Sequence, residues 1–145
     1  NATRKVFLVH GHDDAVRHTV ARYLEKLEFE VIELMEQPSK GQTVIEKLET
    51  HADVGFAVIL LTPDDIGAKS GSKDLKSRAR QNEILELGYI LGKLSRKQVV
   101  SLYKPDIELP SDYHGVIYIP YDSNGGWKGL LSRELVSAGY EIKAM

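Results

Sequence analysis

The sequence predicts an α/β domain: a five-stranded parallel sheet in the order 2-1-3-4-5 with helices on both faces. Three observations carry that prediction. Runs of β-branched and aromatic residues alternate with helical periodicity along all 145 residues, the pattern of parallel strands joined by right-handed crossovers. The run Val54 to Leu61 is apolar at odd and even positions alike, as a central strand covered on two faces must be. Five such runs suit a sheet whose strand order reverses between the first and third strands. A chain 42% hydrophobic and 28% charged has the composition of one globular domain with a real core.

The elements follow in order. Lys5 to Val9 is a short buried strand stopped by His10-Gly11-His12. Asp13 or Asp14 can cap the next helix, in which Val16, Val20, Tyr23, Leu24 and Leu27 recur at helical spacing. Phe29 to Leu34 reads as the second strand, and Pro38 and Gly41 make Glu36 to Gln42 a loop. Thr43 opens a helix whose apolar side is Val44, Ile45 and Leu48, and Val54 to Leu61 is the third strand. Thr62 to Ser77 is rich in Asp, Ser and Gly, and its length suits a functional lid better than a simple connector. A helix from Arg80 to Leu94, a strand from Val99 to Tyr103 and a Pro-containing loop come next. Val116 to Ile119 is the last strand and Trp127 to Ala138 the last helix, with Trp127 either core or an exposed packing anchor. The order is that of a flavodoxin-like fold.

Composition excludes several roles. A formal net charge of -2, with lysines and arginines scattered among acids, gives no general attraction to nucleic acid or to an anionic membrane. The absence of cysteine removes disulfides, thiolate catalysis and thiolate metal ligands, and fits a cytoplasmic protein. No apolar run approaches the roughly 20 residues that span a bilayer. The chain opens Asn1-Ala2-Thr3 without an initiating Met. Residues 1–3 therefore read as a tag scar or cut end, and 4–145 as one domain excised from a longer polypeptide.

In sheets of this order the ligand sits beyond the carboxyl ends of the strands, at the switch point. That rule nominates His10, Gly11, His12 and Asp13, then Thr62, Pro63, Asp64 and Asp65, then the loop around Pro38. His10 and His12 lack the third ligand of a catalytic metal site, so no metal is expected and both read as polar pocket walls or as makers of loop hydrogen bonds. Gly11 serves either a tight turn or close approach of a nucleotide. Asp64 and Asp65 are loop caps or ribose contacts. Ser39-Lys40-Gly41-Gln42-Thr43 lacks the glycine frame of a phosphate loop.

The Arg80 to Leu94 helix carries two acids, Glu83 and Glu86, within an apolar pattern. Buried carboxylates cost several kcal/mol unless paired or used. On a wheel of about 100° per residue, Ile84, Leu87, Gly88, Leu91 and Leu94 form the buried stripe. Glu83 lies near its Ile90 and Leu94 edge, and Glu86 lies farther round with Asn82, Tyr89 and Lys93. Periodicity alone marks Glu83 as the oddly placed acid and leaves Glu86 as a flank residue.

Three stretches then carry a resemblance. Val6-Phe7-Leu8-Val9-His10-Gly11-His12, Leu60-Leu61-Thr62-Pro63-Asp64-Asp65, and Ala79-Arg80-Gln81-Asn82 with Leu85-Glu86-Leu87-Gly88-Tyr89 and Gly92-Lys93-Leu94 resemble the bacterial TIR-like family. The branch is the nucleotide-binding TIR effectors of cyclic-nucleotide anti-phage systems, including TIR-STING fusions. The resemblance covers nearly the whole chain in order and spacing. It implies hydrolysis of NAD+ at the nicotinamide-ribose bond, with Glu86 at the position of the family's catalytic glutamate. The substrate contacts expected are His10, Gly11, His12, Pro38, Ser39, Thr62, Asp64, Asp65, Arg80 and Asn82. Glu83 stands where the family usually has an apolar residue.

Nicotinamide is a cationic leaving group, so its loss needs stabilisation of an oxocarbenium-like ribose more than a general acid. One carboxylate can supply that, with NAD+ as substrate and no cofactor. The resemblance further implies TIR–TIR homo-oligomers as the active form and a cyclic-nucleotide sensor domain in the same polypeptide. Two other readings stand beside it: a TIR-like module that binds partners or nucleotide without turnover, and a nucleoside deoxyribosyltransferase-like enzyme. A phosphorylated receiver would want acids after the first strand and a lysine after the last, where this chain has His10-Gly11 and Pro120-Tyr121.

Overall fold

A computed structural model describes residues 4–11, 13–35, 54–62, 99–104 and 116–142 of the chain. Five strands, β1 (Lys5–His10), β2 (Glu30–Met35), β3 (Phe56–Leu61), β4 (Val99–Tyr103) and β5 (Val116–Pro120), form one sheet in the order β2-β1-β3-β4-β5. All four neighbouring pairs are parallel. The expected strand order is therefore present, and β1 runs one residue past the apolar run, to His10.

β3 shows why its sequence is apolar on both parities. Phe56, Val58 and Leu60 join one buried cluster, while Ala57, Ile59 and Leu61 join the other. No residue of the strand is more than 2% exposed. The registers Leu61↔Tyr103 and Tyr103↔Pro120 bring the carboxyl ends of β3, β4 and β5 level, and His10↔Met35 does the same for β1 and β2.

Two helices, α1 (Asp14–Lys26) and α2 (Gly126–Ser137), pack on one face of the sheet. α1 buries Val16, Val20, Ala21 and Leu24 and is capped by Asp13, whose Oδ1 accepts from the Val16 amide at 3.1 Å. α2 buries Trp127, Leu131 and Leu135, so Trp127, only 2% exposed, is core. Tyr23 ties the two helices together: its ring meets Trp127 edge-on at 5.4 Å, and its hydroxyl shares a hydrogen bond with Ser132. The second face of the sheet carries Phe7, Val9, Ile32, Ile59 and Leu61. The helices expected from Thr43 and over Arg80 to Leu94 lie outside the described residues.

The two helices end in the same way. After α1, the Phe29 amide donates to Leu24 O and the Glu28 amide to Glu25 O; after α2, the Tyr140 amide donates to Leu135 O and the Gly139 amide to Val136 O. Each is a Schellman ending, with a left-handed residue just beyond the helix and an apolar residue after it folding back. The left-handed residue is Gly139 (φ 102°) in one case and Glu28 (φ 72°) in the other. Phe29 and Tyr140 then meet edge-on at 5.1 Å. Arg4 locks the junction by donating to Leu27 O (2.7 Å), Glu28 O (3.0 Å) and Glu141 O (3.1 Å), its guanidinium 4.2 Å from the centre of the Phe29 ring. This lies at the amino end of β1, opposite the candidate site.

Candidate functional site

β1 ends on a buried histidine. His10 is 6% exposed, and its Nδ1 lies 2.9 Å from the carbonyl oxygen of Gly11. A carbonyl only accepts, so Nδ1 carries the proton and Nε2 is the acceptor nitrogen. Burial holds the imidazole pKa below 6.5, against the opposing pull of the Gly11 hydrogen bond and the Glu33 charge. His10 is thus neutral at pH 7. Its Nε2 faces Glu33 Oε1 at 3.6 Å, too far for a hydrogen bond. Glu33 is engaged by Arg17 of α1 at 2.7 Å, and Arg17 also reaches Asp14 at 3.4 Å. A chain of charges therefore links the first turns of α1 to β2 and closes over the β2 side of His10.

Among the described residues, nothing lies within 4 Å of a Cβ built on Gly11, and its φ is not left-handed, so no strained turn demands glycine at this position.

On the other side of β1, β3 ends at Leu61 and is followed by the half-buried Thr62. The Lys104 amide, just past β4, donates to Leu61 O at 3.1 Å. The Lys104 side chain runs back to Asp13, with Nζ 3.1 Å from Oδ2. Because β3 lies between β1 and β4, this pair spans the carboxyl end of β3. Beyond β5, the Asp122 carboxylate accepts from the amides of Gly126 and Trp127, both at 2.9 Å, and these bonds hold its pKa below the usual carboxylate value.

His10, Gly11 and Thr62 thus gather at the carboxyl ends of adjacent strands. His12, Pro38, Ser39, Asp64, Asp65, Arg80, Asn82, Glu83 and Glu86 lie outside the described residues. Among the described residues no group of three His, Asp or Glu is placed to hold a metal ion. No described helix is long and apolar enough to cross a membrane. A cavity of about 740 Å³ shares Arg17 and Glu33 with the end of β2 but otherwise runs along the polar surface of α1, toward Arg22, Lys26 and Lys128. Among the described residues, none of β1 or β3 lines it.

The family model of the CAP12/Pycsar effector protein TIR domain matches residues 5–123. The chain belongs to this family. It is 49% identical over 138 residues to the uncharacterized protein YuaY of Escherichia coli (strain K12), a match covering 94% of this chain and 46% of YuaY. It is 38% identical over 132 residues to the protein tirC of Dictyostelium discoideum, covering 83% of this chain and 66% of tirC. With the Pycsar effector protein PaPycTIR of Pseudomonas aeruginosa it shares 34% over 85 residues, covering 56% of this chain and 27% of that protein. The chain spans less than two thirds of each of these three relatives.

Within this TIR-type sheet, three residues of the site escape a reading of the sequence. Glu33 alternates with Val31 and so shares the α1 side of β2, but only the fold pairs it with Arg17. Lys104 carries one available signal: it is a cation directly after a strand whose carboxyl end faces the crevice.

Proposed function

We propose that this TIR domain hydrolyses NAD+ and serves as the effector of a bacterial anti-phage system. The observation that carries the reading is the family match over residues 5–123, which includes Glu86 within Leu85-Glu86-Leu87-Gly88. Water attacks C1′ of the nicotinamide ribose, the bond to the pyridinium nitrogen breaks, and neutral nicotinamide leaves while a proton passes to solvent. Glu86 stabilises the oxocarbenium-like ribose. No metal or redox partner enters the balance, and NAD+ is substrate rather than cofactor.

The crevice at the ends of β1 and β3 supports this reading. Gly11 and Thr62 follow adjacent strand ends where the switch-point rule puts a ligand, and neutral His10 beside them places no cation near a cationic pyridinium. His12, Pro38, Ser39, Thr62, Asp64, Asp65, Arg80 and Asn82 complete the proposed lining. In this reading the domain works in the cytoplasm as part of a longer polypeptide, in line with relatives longer than the matched segment. A cyclic-nucleotide sensor in that polypeptide stacks TIR units into an active homo-oligomer. Glu86→Gln tests the chemistry: the variant should stay folded and lose nicotinamide release by roughly a hundredfold or more. Wild-type turnover in that variant would sink the assignment.

A further inference from the structure

We propose that Lys104 is a substrate-binding residue: its ammonium, parked on Asp13 across the carboxyl end of β3, takes the pyrophosphate of a dinucleotide lying in the crevice. This rests on the NAD+ reading above and adds which group of the substrate this side of the crevice holds.

Three observations converge on it. Lys104 is anchored through its backbone to Leu61 O, so its side chain starts at the rim of the crevice rather than on a distant loop. Its ion pair with Asp13 crosses from β4 to the start of α1, over the strand end where the switch-point rule puts a ligand. The pair is also partly open to solvent, with the side chains 36% and 20% exposed. Such a pair contributes little to stability, so its ammonium can be exchanged at small cost.

Asp13 is suited to release the lysine. Its Oδ1 remains on the Val16 amide as the cap of α1, and Oδ2 alone is shared with Lys104. The carboxylate keeps a partner when the lysine leaves. The other cations described near this end of the sheet are committed elsewhere. Arg17 is closed onto Glu33 and Asp14, and Lys128 lies over the Tyr23 and Trp127 rings. A lysine ammonium, a compact charge with three donors, suits two adjacent phosphates.

The test compares two substrates with the same scissile bond. NAD+ has the pyrophosphate; nicotinamide riboside has no phosphate. Lys104→Gln should raise KM for NAD+ about tenfold or more, the loss of one charge-assisted hydrogen bond, with kcat little changed. KM for nicotinamide riboside should stay at the wild-type value, and Lys104→Arg should restore most of the NAD+ affinity. Asp13→Asn, which keeps a capping oxygen and frees the lysine, should lower KM for NAD+. An equal effect of Lys104→Gln on both substrates, or no effect on either, would overturn the proposal while leaving NAD+ cleavage intact. Calorimetric titration with ADP reads the same contact without turnover. If the protein cleaves neither substrate, ADP binding weakened about tenfold by Lys104→Gln still supports the lysine's role, and unchanged or absent ADP binding overturns it.

Discussion

Glu28 occupies a backbone position made for glycine, and replacing it should stabilise the protein. The residue follows α1 with φ 72°, inside a complete Schellman ending. A left-handed conformation costs an L-residue roughly 1–2 kcal/mol. Glycine removes that cost but loses roughly 0.5–1 kcal/mol more backbone freedom on folding. The net expectation for Glu28→Gly is a gain of about 0.5–1 kcal/mol, equivalent to a rise of about 1.5–3 °C in Tm for a chain of this size. The Glu28 side chain is exposed, and the Arg4 bonds to Leu27 O and Glu28 O are made to backbone, so they survive it. Gly139 supplies the mirror experiment. It holds the same position after α2 at φ 102°, and a Cβ there meets nothing within 4 Å among the described residues, so Gly139→Ala isolates conformational strain. It should cost about 1 kcal/mol. Urea unfolding of the three proteins, with m-values compared to detect denatured-state effects, gives the numbers. A Glu28→Gly variant no more stable than wild type, together with a neutral Gly139→Ala, would refute the reasoning.

Two pH-dependent effects follow from the site. Burial depresses the His10 pKa, so the native state binds this proton more weakly than the unfolded chain, whose histidine titrates near 6.5. Stability is full above that value and declines as pH falls from about 6.5 toward the lower folded pKa; His10→Gln should flatten this part of a urea-midpoint profile, and an unchanged slope would count against a buried neutral imidazole. Asp122 behaves in the opposite sense to a raised group: its carboxylate is held below 3.8 by the Gly126 and Trp127 amides, so its contribution is present above that value and lost as acid protonates it. Asp122→Ala should loosen the first turn of α2 and shift the emission of Trp127, the one tryptophan in the chain, to the red; wild-type emission would show that the two Asp122 bonds are dispensable.

Much of the fold is legible in the residues because burial writes itself into periodicity. The double-sided apolar run of Val54 to Leu61 marks the central strand, and Val16, Val20 and Leu24 mark the buried stripe of α1. Trp127 is less legible: an aromatic at a helix start suits core or surface equally, and its burial, with Tyr23 and Tyr121 against its ring, decides for core. The site is legible where backbone topology alone defines it. His10, Gly11 and Thr62 stand at strand ends, and the switch-point rule finds them. The Glu33–Arg17 and Lys104–Asp13 pairs join residues 16 and 91 positions apart on different elements, and no local pattern encodes such partners. Glu28 is hidden for another reason: a glutamate gives no sign of a left-handed residue, whereas Gly139 does.

The central claim is that Glu86 makes this domain an NAD+ hydrolase. The direct measurement is release of nicotinamide from NAD+ by the chain held in a forced oligomer, followed by chromatography beside its Glu86→Gln variant. The account predicts nicotinamide and an ADP-ribose product from the wild type, far slower release from the unassembled domain, and loss of roughly a hundredfold or more in the variant. Equal rates from wild type and variant would contradict it, as would transfer of the ribose between free bases without net hydrolysis.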